Sequence, residues 1–470
     1  MTEAREGACA RDIIMEGIGN LVGDAKRRFG VVEISPEETT EGELLERFVH
    51  RDAWSQRGLM VGAPLNLRQN SRYIRHGESS MTRNVKPLGV YVHFPWCLKK
   101  CPYCDFVSFA KKRDEIDHAA YSDAVLREIE ARKGALETTS VETIFFGGGT
   151  PSLWEPEELG RVLDALLSMN RITDVEVTLE CNPTSLDPDR AKAYCDAGIN
   201  RFSIGTQSLD AKELSYLGRL HDASLAEAAI DGALATGARV SSDLIFGLPD
   251  QPLERAVEHA ERLAAHGITH LSCYQLTIEP GTQFGELAKI GRLPLADDGR
   301  VAQSFLAIDE ALEKKGFSHY EISNYAKPGD ESRHNLGYWR GRDYLGIGTA
   351  AVGRIGNVRY RNEPDPARYA ARTKTMKPGL FGEEDGLSTF EETLDAETLL
   401  RERIMLGLRL KEGFDLESDA QELGVEALSK ERARELEKLL TKGRVWKKGA
   451  RIGMTREGWL FANDVAARLF

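Results

Sequence analysis

From about residue 87 the chain alternates short β-branched or aromatic runs with amphipathic stretches, and this alternation leaves few folds open to it. The apolar runs are Gly89–Phe94, Val141–Phe146, Val175–Leu179, Arg201–Gly205, Val240–Phe246 and His270–Leu276. Helix-like segments fall between them, near Asp114–Arg132, Pro156–Ser168, Pro188–Ala197, Ser224–Ala235 and Leu253–His266. In the second, Leu159, Val162, Leu163, Leu166 and Leu167 keep the spacing of one helical face, and Pro156 suits a first helical position. Strands alternating with helices read as parallel βα units. Six of them predict an open or partial (β/α)6 barrel, an α/β fold. The runs lead into Pro95-Trp96-Cys97, Gly147-Gly148-Gly149-Thr150-Pro151, Glu180-Cys181-Asn182-Pro183, Thr206-Gln207-Ser208, Gly247-Leu248-Pro249 and Glu279-Pro280-Gly281. Parallel α/β folds build their sites at the carboxyl ends of their strands, so one face is the expected site.

The flanks read differently. Residues 1–86 show little periodicity and are expected to be an N-terminal extension, poorly ordered, with Arg75-His76-Gly77-Glu78 a solvated linker and Cys9 incidental. The barrel is expected over 87–290 and a connecting region over 291–385. Residues 386–470 are expected to form a small winged-helix-like α+β domain. It has helices at Arg401–Leu410, Ser429–Leu440 and Gly458–Leu469, and a hairpin in Arg444–Thr455 turning at Lys448-Gly449. The net charge of −12 argues against a chain that coats nucleic acid or anionic lipid. No apolar run reaches the roughly 18 residues of a membrane span, and no signal peptide is visible, so a cytoplasmic location is expected.

Seven cysteines are an odd number, and three crowd into Cys97-x3-Cys101-x2-Cys104. A structural zinc site takes four closed ligands, commonly from paired knuckles, and no second Cys-x2-Cys pair is present. Three thiolates on one loop fit a 4Fe–4S cluster with one iron open to a chelating amine and carboxylate. Cys181, Cys195 and Cys273 read as small core or site-lining residues, and His93 as a buried hydrogen-bonding residue. Glycines 147–149 allow close backbone approach, Glu180 or Asp243 can accept from hydroxyls or an amine, and Arg219 offers a fork to a carboxylate.

The sequence YVHFPWCLKKCPYCDF, with FFGGGTPSLW, LECNPTSL, NRFSIGTQSLD, LGRLH, SDLIFGLPDQ, YQLTIEPGTQF, HYEISNYAKPG and ESRHNLGYW, resembles the coproporphyrinogen-III-oxidase-like radical S-adenosylmethionine (SAM) family. Within that family it is most similar to the heme chaperone (HemW) branch. The resemblance covers roughly four-fifths of the chain, from about residue 87. It implies a 4Fe–4S cluster on Cys97, Cys101 and Cys104, and SAM against Tyr91, Tyr103, Gly148, Gly149, Thr150, Glu180, Gln207, Arg219 and Asp243. The oxidases of the family carry a fourth cysteine two positions after the third, where this chain has Phe106. In turn, His334-Asn335-Leu336-Gly337-Tyr338-Trp339 matches the HNxxYW motif of the chaperones. A histidine that usually follows the family's later Gly-x-Gly run is missing from Gly346-Ile-Gly-Thr-Ala-Ala.

The implied function is binding of heme and its transfer to apoproteins, with His334 the candidate heme ligand or pocket residue. Implied partners are heme, heme-accepting apoproteins and an electron donor, with membrane contact through the acceptor and none with nucleic acid. The alternatives are an oxygen-independent coproporphyrinogen III oxidase, against which Phe106 argues, or another radical SAM enzyme acting on a tetrapyrrole. In a packing role, Asn335 would cap its helix while Tyr338 and Trp339 fill an interdomain core.

Overall fold

The computed structural model describes residues 86–169, 174–379 and 381–470. Cys9 and Arg75–Glu78 lie outside them. Six parallel strands follow one another: β1 (Lys86–Phe94), β2 (Thr139–Gly148), β3 (Glu176–Cys181), β4 (Arg201–Gln207), β5 (Arg239–Phe246) and β6 (His270–Gln275). The crossovers carry α1 (His118–Thr138), α2 (Pro156–Ser168), α3 (Pro188–Asp196), α4 (Ala223–Leu234) and α5 (Leu253–Ala265); α6 (Asp298–Lys314) follows β6. Strands covered on both faces read as continuous apolar runs. In β3, Glu176, Val177, Thr178 and Leu179 are all buried. Helix α2 starts at Pro156 and buries Leu159, Val162, Leu163 and Leu166, the face its spacing predicts.

The sheet extends beyond the six strands at both edges. After β6 come β7 (Ser318–Glu321) and β8 (Asn324–Ala326), with β8 antiparallel to β6. Helix α7 (Arg333–Trp339) leads to β9 (Asp343–Gly348), which runs parallel to β1 and makes a seventh parallel strand. Then β10 (Val352–Ile355), β11 (Val358–Asn362) and β12 (Ser388–Thr393) add antiparallel strands. The order across the sheet is β12-β11-β10-β9-β1-β2-β3-β4-β5-β6-β8-β7. The seventh strand escaped the sequence reading because its glycines carry no β-branched signal.

A second core gathers Leu400, Ile404, Leu408, Leu436, Leu439, Ile452 and Val465. It is built by α8 (Ala396–Gly407), α9 (Leu416–Leu423), α10 (Lys430–Thr441) and the hairpin β13 (Val445–Lys448)–β14 (Arg451–Met454), to which Phe414–Asp415 adds a third strand. This is the winged-helix-like arrangement. One detail is corrected: the expected final helix is two, Arg456–Trp459 and Ala462–Arg468, broken where Phe461 leaves helical geometry. Among the described residues no helix is long and apolar enough to cross a membrane.

Candidate functional site

The cysteine loop leaves the carboxyl end of β1 and is clamped to the loop after β2. Gly149 N–H donates to Phe94 O at 2.7 Å and Thr150 N–H to Trp96 O at 2.8 Å. Phe109 N–H and Lys111 N–H close the loop on Pro95 O and Cys97 O, at 2.8 and 2.9 Å. The three thiols are half-buried on this loop. Burial raises the Cys97 thiol and pushes that of Cys104 up to about 12, and each of the two also feels the charge of Cys101. Arg219 Nη1 lies 3.6 Å from Cys101 Sγ, and its Nη2 donates to Gly205 O at 2.8 Å. Burial opposes the Arg219 charge, but Tyr103 and Cys101 more than offset this and its pKa rises. The thiols therefore share one neighbourhood with a fixed cation, a donor set suited to an anionic thiolate cluster. Among the described residues, no three His, Cys, Asp or Glu side chains converge on a single-ion site.

Beside the loop, Gly148 N–H donates to Glu180 Oε2 at 3.2 Å. Burial, then the charge of Asp243, pushes the Glu180 carboxyl up to about 8. Asp243 is raised too, chiefly by burial, although Ser203 Oγ approaches Oδ1 at 3.4 Å. Gln207 sits at the end of β4 with φ 67, a left-handed conformation that costs a non-glycine residue energy. Tyr91 lies inside the barrel, its ring stacked 6.3 Å from that of Phe145. Its hydroxyl meets His93 Nδ1 at 3.1 Å, while His93 Nε2 meets Val107 O at 2.9 Å. A carbonyl only accepts, so Nε2 carries the proton and Tyr91 donates to Nδ1. Burial lowers the His93 pKa to about 4, so the ring is neutral, the buried hydrogen-bonding residue that the sequence predicts.

Thus Tyr91, Tyr103, Gly148, Gly149, Thr150, Glu180, Gln207, Arg219 and Asp243 come from separate strands and loops to the cysteine end of the barrel. One part of the site was not foreseen. Glu213 is buried and accepts from Ser208 Oγ at 2.6 Å and Gln251 Nε2 at 3.1 Å, while Gln251 Oε1 accepts from Gly247 N–H at 2.9 Å. It ties the loop after β4, which carries Gln207, to the loop after β5. The Gln-Ser-Leu-Asp and Leu-Pro-Asp-Gln motifs held that signal.

His334 lies elsewhere, toward the amino ends of β1–β3. Its Nδ1 meets Thr143 Oγ1 at 2.8 Å and its Nε2 meets Tyr338 OH at 3.1 Å. Its backbone N–H donates to Glu176 Oε1 at 3.0 Å, and its ring stacks on Phe145 at 4.9 Å. Burial lowers its pKa to about 4. Both ring nitrogens are engaged within the protein, so in this arrangement neither is free to ligate iron. The helix cap is Ser332, whose Oγ accepts from Asn335 N–H at 3.3 Å, and not Asn335. Thr143 and Tyr338 together lose a partner in His334→Ala. An unsatisfied buried group costs about 1–3 kcal/mol, so urea denaturation should register a loss of about 2 kcal/mol or more.

Comparison with known proteins agrees with this geometry. The Radical SAM superfamily model matches residues 91–263, and the HemN C-terminal domain matches 394–461. The heme chaperone HemW of Mycobacterium tuberculosis (strain CDC 1551 / Oshkosh) is 35% identical over 387 residues, 82% of this chain and 95% of that protein. HemW of Escherichia coli (strain K12) is 40% identical over 299 residues, 63% of this chain and 76% of that one. The mitochondrial radical S-adenosyl methionine domain-containing protein 1 of Danio rerio is 37% identical over 332 residues, 69% and 73% of the two chains. Among solved structures, coproporphyrinogen III oxidase (HemN) from Escherichia coli superimposes with a TM-score of 0.69 at 22% identity, covering 82% of this chain and 90% of that one, which shows the shared fold. The chain belongs to the coproporphyrinogen-oxidase-like family of the radical SAM superfamily, in its HemW branch.

Proposed function

We propose that this protein binds heme and passes it to heme-requiring apoproteins, while holding a 4Fe–4S cluster and SAM at the cysteine end of its barrel. The observation that carries the reading is its kinship to HemW chaperones along most of its length. Phe106, where the oxidases have a cysteine, agrees with it. Phe106 is 41% exposed, and its carbonyl accepts from Lys100 Nζ at 3.0 Å, so this position offers an apolar face and no thiol.

Membership of the superfamily implies the cluster and SAM. Cys97, Cys101 and Cys104 would each hold one iron, leaving the fourth for the amine and carboxylate of SAM. When bound and reduced, the cluster supplies an electron to the sulfonium of SAM. Around it, Glu180 and Asp243 would accept from hydroxyls or the amine of SAM, and Arg219 would offer its fork to the carboxylate. The glycine run admits backbone contact, and Tyr91, Tyr103, Thr150 and Gln207 line the remainder. A cytoplasmic location, an external electron donor and contact with a membrane through the heme acceptor complete the reading.

Anaerobic reconstitution tests it. About four irons and four sulfides per chain are expected. Heme should give a saturable change in its absorption, and coproporphyrinogen should release no carbon dioxide. SAM-dependent carbon dioxide release by the purified protein would overturn the chaperone reading in favour of the oxidase. His334→Ala should keep its heme affinity; losing it at unchanged stability would restore the iron-ligand role.

The acidic pair predicts a pH dependence. Folded Glu180 holds its proton to about pH 8, whereas a carboxyl in the unfolded chain releases it near pH 4.5. Folding takes up a proton across that window, so Glu180 subtracts stability as pH rises through it. SAM is cationic and selects the ionised form, so its affinity should strengthen toward pH 8. Glu180→Gln should therefore raise the Tm of the SAM-free protein at pH 8 while weakening SAM binding by about 1–3 kcal/mol, roughly 5- to 150-fold. Calorimetry and SAM titrations from pH 6 to 9 check both halves, and a Gln variant less stable at pH 8 would contradict the first.

A further inference from the structure

Among the described residues, the side chain of Arg409, just past α8, meets no hydrogen-bonding partner. Its guanidinium lies 4.6 Å from the ring centre of Trp339, the last residue of the HNxxYW segment. Among the described residues no carboxylate stands within ion-pair distance of it, and its Nε is enclosed without an acceptor. The terminal nitrogens are not enclosed in this way, and the residue as a whole is only half-buried. They reach open space from a deep position.

Other side chains show what that space is. Tyr274, on β6, is 38% exposed, yet burial raises its hydroxyl pKa and it feels Asp243, Glu321 and Glu180. A residue both exposed and deep lines an open interior, and Tyr91 and Phe145, whose rings stack on each other, are likewise only half-buried. Aromatic side chains line this space, and Arg409 stands at the seam where Glu321 of β7 bridges to Leu410. There Ile322 N–H donates to Arg409 O at 3.1 Å. Among the described residues, Trp339 Nε1 is a second enclosed donor without a partner. Glu321 accepts from Asn324 through Oε1, while its Oε2 is enclosed and unpartnered.

We propose that Arg409, held flat against Trp339, is a carboxylate-binding group of the barrel interior and receives a propionate of the tetrapyrrole cargo. An arginine fork matches a carboxylate in two parallel hydrogen bonds, and guanidinium stacking on indole leaves its edge free to make them. Burial without a fixed counter-ion is costly to a cation, and Arg409 lies below the usual arginine range because of it, partly offset by Glu321 and Tyr274. A ligand carboxylate removes that cost. Glu321 also borders this space, and burial raises its carboxyl above the usual carboxylate range. The inference rests on the chaperone reading and adds the group that recognises the cargo by charge.

The test compares heme with its dimethyl ester, in which both propionates are masked, by absorption titration of the full-length reconstituted protein. The wild type should bind heme about tenfold more tightly than the ester. Arg409→Gln should lose that factor for heme and nothing for the ester, and Arg409→Lys should recover part of it. Equal affinity of the wild type for heme and ester would overturn the inference and leave the chaperone reading standing. So would an equal loss of both ligands in Arg409→Gln, which would mark a structural arginine. Absence of any heme binding by the wild type would remove both. The wild-type comparison needs no variant and holds even if Arg409→Gln folds poorly.

Discussion

Arg132→Met is expected to cost about 3–5 kcal/mol of folding free energy, because it strands buried carboxylates. Arg132 lies on α1 with Glu128 one turn before it, and neither these two side chains nor Asp385 have exposed surface. Arg132 Nε donates to Glu128 Oε1 at 2.8 Å, and Nη2 reaches Asn362 Oδ1 at 3.0 Å and Asp385 Oδ2 at 3.1 Å. Its guanidinium also lies 4.4 Å from the Tyr360 ring centre. Glu128 in turn accepts from Gly348 N–H at 2.8 Å and Tyr369 OH at 2.7 Å. The group thereby fixes β9 and β11 to the first barrel helix. Methionine fills much of the volume but supplies no charge. Urea denaturation should show a lower midpoint with an unchanged slope, and adding Glu128→Gln and Asp385→Asn should recover part of the loss. A cost below about 1 kcal/mol would show that the carboxylates do not depend on Arg132.

Gly149→Ala should prevent cluster assembly and destabilise the fold by about 1–3 kcal/mol or more. A Cβ there would stand 2.6 Å from Trp96 O, 2.8 Å from Trp96 N and 2.9 Å from Phe94 O. These are backbone atoms of the loop that bears Cys97, so no side-chain rotation relieves the contact. The loop cannot retreat without breaking the hydrogen bonds of Gly149 N–H and Thr150 N–H to it. Iron and sulfide content after reconstitution, with denaturation of the unreconstituted protein, separates the two effects. Gly134→Ala is the control: it lies in α1, a Cβ there meets nothing within 4 Å, and it should stabilise by about 0.5–1 kcal/mol. Normal cluster content in Gly149→Ala would contradict the steric account.

The six barrel strands, the helices between them and the cysteine loop were legible because each rests on a local pattern. Examples are the apolar face of α2, the buried run of β3 and the cysteine spacing itself. The strand β9 was not, since Gly346 and Gly348 are there to let neighbouring backbones approach and have no local preference for a strand. The residue types around the cysteines were also readable, together with the end of the barrel that would carry them. Glu213 was not, because nothing in its own helix distinguishes a buried clamp from a solvated glutamate.

The sequence by itself determined the βα alternation, the thiol spacing and the kinship that together place a cluster site at one end of a barrel. Only the tertiary structure decided which partners His334 and Arg409 meet. A histidine in a motif reads as a ligand until its two nitrogens are found bonded to Thr143, 191 residues away in the chain, and to Tyr338 on its own helix. Arg409 carries no local signal of its own, and only the fold sets it against the Trp339 ring. The difference is that strand, helix and ligand-spacing signals arise among neighbours in the chain. Whether a polar side chain is satisfied or left waiting for a partner depends on atoms that meet only when the chain has folded.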